Sequence, residues 1–510
     1  MSLTSLAFIG ALALAFVLYY TLPKKAQWPL LLLASLGFYA CAGWQGLCFV
    51  VFTVLSTWLA AWRIDAMQVK QKAYVAEHRA QLSREERKAY NAKQKRAQRR
   101  WLILCLAVNL AVLAFMIALK STDLSGVLKL DITVIGISYY TFRIMGYLID
   151  VFWGKTRAQK NPAKLALFTI FFPQVWMGPI SRYETIGESL LSGHNFDWDA
   201  FQAGVQRIIL GYFKKLVIAE RLIIPSLWML LPDAHGKYTL PGLPSFDGMA
   251  ALLNMVVYAA ALYCDFTGGM DIAIGIGECF GIKMEENFDS PFRSKNIFEY
   301  WRRWHITMGT WFRDYVFYPV SVSKPLQKLT AKLKQKHPGL ARRAPVYIAT
   351  MVTWFVTGIW HGAAWNFIVW GLANGVVILI SQELQPHYGK FHERFPKMKG
   401  RAYDAFQVAR TFLLLAFIRA FDIYRNVPLT FSRFASIFIR PQLAALAGAV
   451  RVIPWIDWLV AGVGVCLLLP GSKRLRKLPA AFWLLLVLAI LVFGVYGLGY
   501  DAAAFIYTRF

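Results

Sequence analysis

Long apolar stretches separated by short basic segments run through most of the 510-residue chain. A helix needs about 20 mainly apolar residues to cross a bilayer, so such stretches predict membrane-spanning helices. Before residue 155 the candidate spans are Leu6–Leu22, Trp28–Ala42, Leu47–Trp62, Trp101–Leu119 and Ile132–Phe152. After residue 345 they are Val346–Trp360, Trp365–Ile380, Phe406–Phe421, Ile453–Leu469 and Ala481–Leu498. The pattern therefore predicts an all-α, polytopic membrane protein.

The region from Leu165 to Tyr318 has a different pattern. Its apolar pieces are short, and proline-containing turns such as Phe-Pro-Gln and Gly-Pro-Ile-Ser interrupt them. Proline breaks helices, and irregular backbone at membrane depth is tolerated where it lines a cavity. This region therefore predicts re-entrant or broken helices, and we expect function to lie here.

Composition supports one membrane domain over residues 1–510. Hydrophobic residues make up 57% of the chain and charged residues 16%, against about 25% charged in soluble domains. No polar block is large enough to fold separately. The expected parts are N-terminal spans (1–154), a core (155–380), C-terminal spans (381–498) and an aromatic tail (499–510).

The net charge of +28 could indicate a nucleic-acid-binding protein or a membrane protein with basic cytoplasmic loops. The positions of the basic residues favour the membrane protein, because these residues concentrate between the apolar stretches, as the positive-inside rule requires. The same rule predicts a protein of the cell (inner) membrane with both termini outside the cytoplasm. The six cysteines lack metal-binding spacing, so we expect no metal. No nucleotide-binding or metalloprotease motif occurs.

Two acidic residues interrupt the apolar run from Met249 to Ile282. Asp265 and Asp271 flank the glycine pair Gly268-Gly269, which permits close backbone approach. A charge at this depth is costly and needs a partner, water or a function. The carboxylates either line a cavity or neutralise the arginines at positions 302, 303 and 313.

The segment from Tyr300 to Tyr315 is dense in tryptophan, arginine and histidine. On a continuous helix, Trp301 shares a face with Trp304 and His305, while Arg302 and Arg303 point elsewhere. Some of these polar groups must then face inward. The alternative is an interfacial helix anchored at headgroup depth.

A second histidine, His361, lies between two predicted spans and precedes small residues that leave room beside its ring. An imidazole can take a proton from a hydroxyl near neutral pH. Catalysis and a packing role both remain open from this motif. In the C-terminal tail Tyr507 offers a phenol, which is either a reactive group or an interfacial anchor.

Several motifs together resemble the membrane-bound O-acyltransferase (MBOAT) family, in its bacterial branch of alginate and peptidoglycan O-acetyltransferases. The resemblance covers roughly residues 135–375 and the tail. The motifs are Trp301-Arg-Arg-Trp-His305, Trp311-Phe-Arg-Asp-Tyr315, Gly358-Ile-Trp-His361-Gly, Tyr263-x-Asp265-Phe-Thr-Gly-x-x-Asp271, Glu286-Asn-Phe-x-x-Pro291-Phe, Gly178-Pro-Ile-x-Arg182 and the aromatic terminus.

This resemblance implies a multi-helix disc in which a cytoplasmic and an extracytoplasmic funnel meet at a narrow tunnel. It implies acyl transfer from a cytoplasmic thioester, with acetyl-CoA as donor substrate and no bound cofactor. His361 matches the catalytic histidine, and His305 is expected to orient or polarise the donor. The supporting or tunnel-lining positions are Asp265, Asp271, Trp301, Arg302, Arg303, Trp304, Arg313, Asp314, Trp360 and Asn366.

In similar proteins a C-terminal tyrosine is proposed to carry the acyl group to an extracytoplasmic, SGNH or lipase-like partner protein. Tyr507 occupies that position. The resemblance implies a cell-surface polysaccharide as acceptor, with alginate, peptidoglycan, cellulose and other exopolysaccharides all open. The alternative function is a transporter of a glycan or lipid that uses Asp265, Asp271 and the broken helices as its pathway.

Overall fold

A computed structural model describes residues 5–121, 136–223, 248–398, 400–452, 454–468 and 475–496. The described chain is helical throughout, apart from turns and one isolated β-bridge between Phe288 and Trp304. The all-α prediction is confirmed.

The N-terminal spans lie in five helices. They are α1 (Leu6–Thr21), α2 (Lys24–Ala42), α3 (Gln45–Glu77), α4 (Arg84–Ser121) and α5 (Ile137–Trp153). Residues 132–135 of the fifth predicted span lie outside the described residues.

Helices α3 and α4 continue well beyond their apolar parts. The intervening polar segment, residues 63–100, forms a helical hairpin rather than a loop. Gln71 Nε2 donates to Asn91 Oδ1 at 2.7 Å, and the Tyr74 ring lies 4.5 Å from the ring of Tyr90. At the turn, Ser83 and Glu86 exchange hydrogen bonds as a capping box that begins α4. The basic hairpin is therefore an ordered part of the protein.

The middle of the chain begins with short helices, as its prolines predict. They are α6 (Pro162–Ile170), α7 (Phe172–Met177), α8 (Tyr183–Leu191) and α9 (Trp198–Tyr212), followed by a π-helical segment, Phe213–Ile223. The next helix, α10 (Met249–Cys279), runs unbroken through Asp265 and Asp271. The prediction of broken helices is wrong for this stretch, because it contains no proline. Its two carboxylates are tolerated because they pair with buried lysines.

The rest of the described chain contains eleven further α-helices. They are α11 (Ile297–Arg303), α12 (Ile306–Phe312), α13 (Tyr318–Ser321), α14 (Lys324–Lys336), α15 (Pro338–His361), α16 (Trp365–Arg394), α17 (Arg401–Tyr424), α18 (Val427–Ile439), α19 (Leu443–Val452), α20 (Trp455–Leu468) and α21 (Ala480–Phe493). Short 3₁₀ turns, Pro291–Arg293 and Pro396–Met398, and a π-helical turn, Arg313–Phe317, complete the described elements.

Within the described residues four helices are long and apolar enough to cross a membrane: α3, α4, α10 and α16. Shorter apolar helices include α1 and α21. On α21 the side chains of Leu484, Leu485 and Leu491 are exposed. A helix that exposes leucines in this way is suited to contact lipid. The chain is a multi-pass membrane protein.

The described chain groups into two compact units. The first comprises residues of Met1–Val205 and Ala273–Glu285, and the second comprises residues of Gln206–Ile272 and Glu286–Phe510. The single membrane domain stays a prediction. Both motif histidines belong to the second unit.

Candidate active site

His361 is the last residue of α15, and tight packing of α15 against α16 fixes its position. A Cβ on Gly358 would lie 2.6 Å from the carbonyl oxygen of Phe367, and one on Gly371 would lie 2.4 Å from that of Trp354. Only glycine permits such a close approach. The His361 ring then packs edge-on against Trp370, with 4.7 Å between ring centroids.

His361 is a partly exposed residue that lines a small cavity. The cavity volume is about 10 Å³, roughly the space that one water molecule needs. We call this space the histidine cavity. Its walls are formed by Leu262, Trp301, Trp304, Met308, His361, Trp370, Arg419 and Asp422.

The second motif histidine, His305, is fully buried beside this cavity wall. Its Nδ1 lies 3.1 Å from Asn287 Oδ1, which also accepts hydrogen bonds from the backbone N–H and the hydroxyl of Thr307. The backbone donor identifies the amide oxygen, and an oxygen can only accept. Neutral His305 therefore carries its proton on Nδ1, which leaves the lone pair on Nε2.

The helix is interrupted at Trp304 and His305. The prediction that Trp301, Trp304 and His305 share one face of a continuous helix is therefore wrong. Helix α11 ends at Arg303, and His305 adopts a positive φ of 48° before α12 begins. The break is stabilised by Asn287, whose carbonyl oxygen accepts from the Ile306 N–H at 2.9 Å. Trp301 and Trp304 nevertheless both reach the histidine cavity.

Trp360 lies next to both imidazoles. Its ring centroid is 4.7 Å from that of His361 and 6.4 Å from that of His305. A third aromatic ring, that of Phe312, packs 6.2 Å away. The two histidines thus share one aromatic neighbour, although the motifs that carry them are separated by more than 50 residues.

Two cavity residues, Arg419 and Asp422, were missed in the sequence. Both lie on α17 and are buried, with 4% and 8% of their surface exposed. The Arg419 guanidinium stacks 4.2 Å from the Trp304 ring and donates a 2.7 Å hydrogen bond to the Tyr300 hydroxyl. The signal that could have identified Arg419 is the presence of an arginine inside the predicted span Phe406–Phe421.

Asp265 belongs to a separate cluster of buried charges. Lys215 Nζ donates to Asp265 Oδ1 at 2.5 Å and also pairs with Glu220. Lys215 and Asp265 are both completely buried. The carboxylate therefore pairs with this lysine of the π-helical segment rather than with the arginines at 302, 303 and 313.

Asp271 forms the second half of this cluster. Arg207 donates to Asp271 at 3.0 Å and bidentately to Glu286, and Lys214 donates to Asp271 at 2.6 Å. Gly211 and Gly268 bring α9 and α10 together, since a Cβ on Gly211 would lie 2.7 Å from the Gly268 carbonyl oxygen. The close approach expected at Gly268 is confirmed. We call Arg207, Lys214, Lys215, Glu220, Asp265, Asp271 and Glu286 the charge network.

The three motif arginines lie outside both clusters. Arg302 is exposed, and Arg303 pairs with Glu299 at 2.7 Å. Arg313 pairs with Asp314 at 2.7 Å, and hydrogen bonding to this carboxylate raises the pKa of Arg313. These contacts are local and do not connect the arginines with Asp265.

The remaining predicted positions are Asn366 and Tyr507. Asn366 is buried, and its Nδ2 donates to the carbonyl oxygen of Phe421 at 3.2 Å, which ties the start of α16 to α17. Tyr507 lies outside the described residues. Among the described residues, no group of three or more His, Cys, Asp or Glu side chains could hold a metal ion.

Comparison with known proteins identifies the family. Residues 155–333 match the family model of MBOAT, the membrane-bound O-acyltransferase family. A teichoic acid D-alanyltransferase of Streptococcus thermophilus is 30% identical over 57% of this chain and 67% of its own length. The chain belongs to the MBOAT family.

Two further relatives match more of this MBOAT chain. A probable alginate O-acetylase AlgI of Azotobacter vinelandii is 31% identical over 72% of the chain and 66% of its own length. A peptidoglycan O-acetyltransferase of Helicobacter pylori is 27% identical over 78% of the chain and 73% of its own length. The chain spans a little under two thirds of the length of the alginate O-acetylases that it matches.

Proposed function

We propose that this MBOAT protein is an O-acyltransferase that transfers an acetyl group from cytoplasmic acetyl-CoA to a cell-surface polysaccharide. The observation that carries the proposal is the position of His361, which lines a water-sized cavity in the second unit. Family membership supplies the reaction class. Alginate, peptidoglycan and teichoic acid appear in the names of the relatives, and we propose an acceptor of this general kind.

His361 acts as the general base in this proposal. It takes the proton of an attacking hydroxyl, a contribution of roughly 10²- to 10⁴-fold in rate. The aromatic walls, Trp301, Trp304 and Trp370, exclude the water that would hydrolyse a thioester. The imidazole is therefore positioned where a base is needed and from which bulk water is excluded.

His305 orients the donor rather than polarising its carbonyl. Polarising a carbonyl requires a hydrogen-bond donor, but the Nδ1 proton of His305 already points to Asn287. The other ring nitrogen, Nε2, then offers a lone pair. This tautomer favours the orienting role among the two that we expected.

Three wider features belong to the same proposal. A tunnel joins cytoplasmic and extracytoplasmic funnels, and both termini face outward. Tyr507 accepts the acetyl group as a phenyl ester, and an SGNH or lipase-like partner then transfers it to the polymer. The support for these features is the resemblance of the motifs and of the aromatic terminus to the family.

The proposal is tested by acetyl transfer from radiolabelled acetyl-CoA by the full-length protein in proteoliposomes. We expect His361→Ala to abolish label in the acceptor, because the base is removed. The matched control is His387→Ala, an exposed histidine on α16, which should transfer at the wild-type rate. Full transfer by the His361 variant would contradict the proposal.

The tyrosine relay needs its own measurement. We expect Tyr507→Phe to retain acetyl-CoA binding but to stop acetylation of the polymer in cells. Wild-type polymer acetylation in this variant would exclude the relay and leave the acyltransferase proposal intact.

The transporter alternative gains no support from the geometry. Its expected pathway residues, Asp265 and Asp271, are both paired with buried cations in the charge network. Such pairing is typical of a structural role within the helix bundle.

A further inference from the structure

We propose that Arg419 is a catalytic residue that stabilises the negative charge on the thioester carbonyl oxygen during acyl transfer. This assignment rests on the proposed function. It adds a second chemical group to the histidine cavity, on the wall formed by α17.

The burial of Arg419 is the first argument. Only 4% of its surface is exposed, yet its side chain forms part of the cavity wall. Within the part of the chain that the structure describes, its Nε–H has no hydrogen-bond partner. An unsatisfied buried donor is costly and calls for an explanation, and a ligand atom in the cavity is one.

The second argument is that the guanidinium is held in place before any substrate binds. Tyr300 accepts a 2.7 Å hydrogen bond from one terminal nitrogen, and the Trp304 ring lies 4.2 Å below the group. Both partners are buried. A donor fixed in this way needs no reorganisation when charge develops, which is the condition for strong transition-state stabilisation.

The third argument is the size of the space that Arg419 faces. A cavity of about 10 Å³ accommodates one oxygen-sized group. A single carbonyl oxygen is of this size. The cavity is therefore compatible with contact between Arg419 and the reacting carbonyl oxygen.

The charges around the cavity complete the arrangement. His361 and Asp422 also line it, and Asp422 lies three residues after Arg419 on the same helix. Its carboxylate offsets the buried positive charge when the cavity is empty. When the oxyanion forms, the Arg419 guanidinium faces two negative charges, the oxyanion and the Asp422 carboxylate. Asp422 therefore weakens the attraction between Arg419 and the intermediate.

The reaction balances with these groups alone. The acceptor oxygen forms a bond to the carbonyl carbon while its proton moves to His361, and the C=O π pair moves onto the oxygen beside Arg419. The intermediate collapses, the C–S bond breaks, and the thiolate takes the proton from the imidazolium. An ester and free coenzyme A result.

The assignment is tested by steady-state kinetics of acetyl transfer with Arg419→Gln, Arg419→Lys and Tyr300→Phe, each normalised to folded protein. Removing an oxyanion donor costs about 10²- to 10³-fold in kcat. We expect that loss in the Gln variant with KM for acetyl-CoA changed less than about threefold. The Lys variant keeps a positive charge but loses the planar guanidinium that stacks on Trp304, so we expect it to lose much of this activity as well.

The matched control is Arg433→Gln, another buried arginine of the same unit that does not line the cavity. It should change thermal stability without changing kcat. Wild-type kcat in Arg419→Gln, or an equal kcat loss in Arg433→Gln, would each overturn the assignment.

Two outcomes separate this assignment from the proposed function. If Arg419→Gln does not fold, the assignment is tested with Tyr300→Phe. This variant removes the hydroxyl that holds the guanidinium, so it should lower kcat about tenfold. An unchanged kcat in Tyr300→Phe would overturn the assignment. Failure of the wild-type protein to transfer acetyl at all would overturn the proposed function, and this assignment with it.

Discussion

The charge network and the histidine cavity are two buried polar clusters in the same unit, built from similar residue types. In the charge network, Lys215 pairs with Asp265 and Glu220, and Asp271 pairs with Arg207 and Lys214. Three other polar side chains, those of Arg419, Asp422 and His361, line the histidine cavity. The charges of the first cluster face one another, whereas those of the second face a cavity.

This difference separates two uses of a buried charge. Bringing an ion out of water costs several kcal/mol, and close pairing within the protein offsets part of that cost. Paired charges hold helices in register. Charges that face a cavity are free to respond to a ligand, so chemistry is better inferred from the space beside a polar group than from its residue type.

The largest expected effect comes from breaking the charge network. Asp265→Asn removes a charged partner of the buried Lys215, so we expect the free energy of unfolding to fall by about 3 kcal/mol, the lower end of the range for a broken buried pair. Thermal unfolding in detergent measures this. Acetyl transfer per folded molecule should stay near wild type.

The control for Asp265 is Glu286→Gln in the same network. The Glu286 side chain is 44% exposed, although its partner Arg207 is buried, so solvent screens this pair more than the Lys215–Asp265 pair and we expect a smaller loss of stability. Equal destabilisation by both variants would show that burial does not set the strength of this network.

A second experiment sharpens the comparison by removing charges together. The triple variant Lys215→Met, Asp265→Leu, Glu220→Leu replaces a lysine and the two acidic residues described as its partners with apolar side chains. Replacing a complete buried ion cluster with apolar groups is often neutral or stabilising, so we expect recovery of at least about 2 kcal/mol over Asp265→Asn. A triple variant as unstable as the single one would assign Lys215 a role beyond pairing.

The smallest expected effect is on the second histidine. Asn287→Ala removes the oxygen that holds the Nδ1 proton of His305, so the ring loses its fixed tautomer. We expect a decrease in kcat of about tenfold, or about 1.4 kcal/mol, for a lost positioning contact. Asn287→Asp keeps an acceptor at this position and should restore activity. A wild-type rate in the Ala variant would assign His305 to packing.

Much of the helical architecture was predictable because helix formation depends on local sequence. Apolar stretches of the right length predicted α1 to α5, although residues 132–135 of the fifth predicted span lie outside the described residues. The polar hairpin of α3 and α4 was missed because length and hydropathy alone give no reason to extend a span into a basic segment. Its capping box, Ser83 and Glu86, was a local signal that could have revealed it.

The candidate site was predictable only in part. The motifs pointed to His305 and His361, whose roles remain proposals, but not to the contacts that surround them. The Trp304–His305 break depends on Asn287, and the cavity depends on Arg419, which lies 58 residues after His361. No local pattern joins positions so far apart.

The sequence by itself determined that this protein is helical, crosses the membrane several times and carries the motifs of its family. Hydrophobic length, proline and small residues act within a few turns of the chain, so they can be interpreted directly. Only the tertiary structure decided which charges are paired and which face a cavity. That choice depends on helices packed at specific glycines, Gly211 with Gly268 and Gly358 with Gly371, because close packing brings together side chains that the sequence keeps apart.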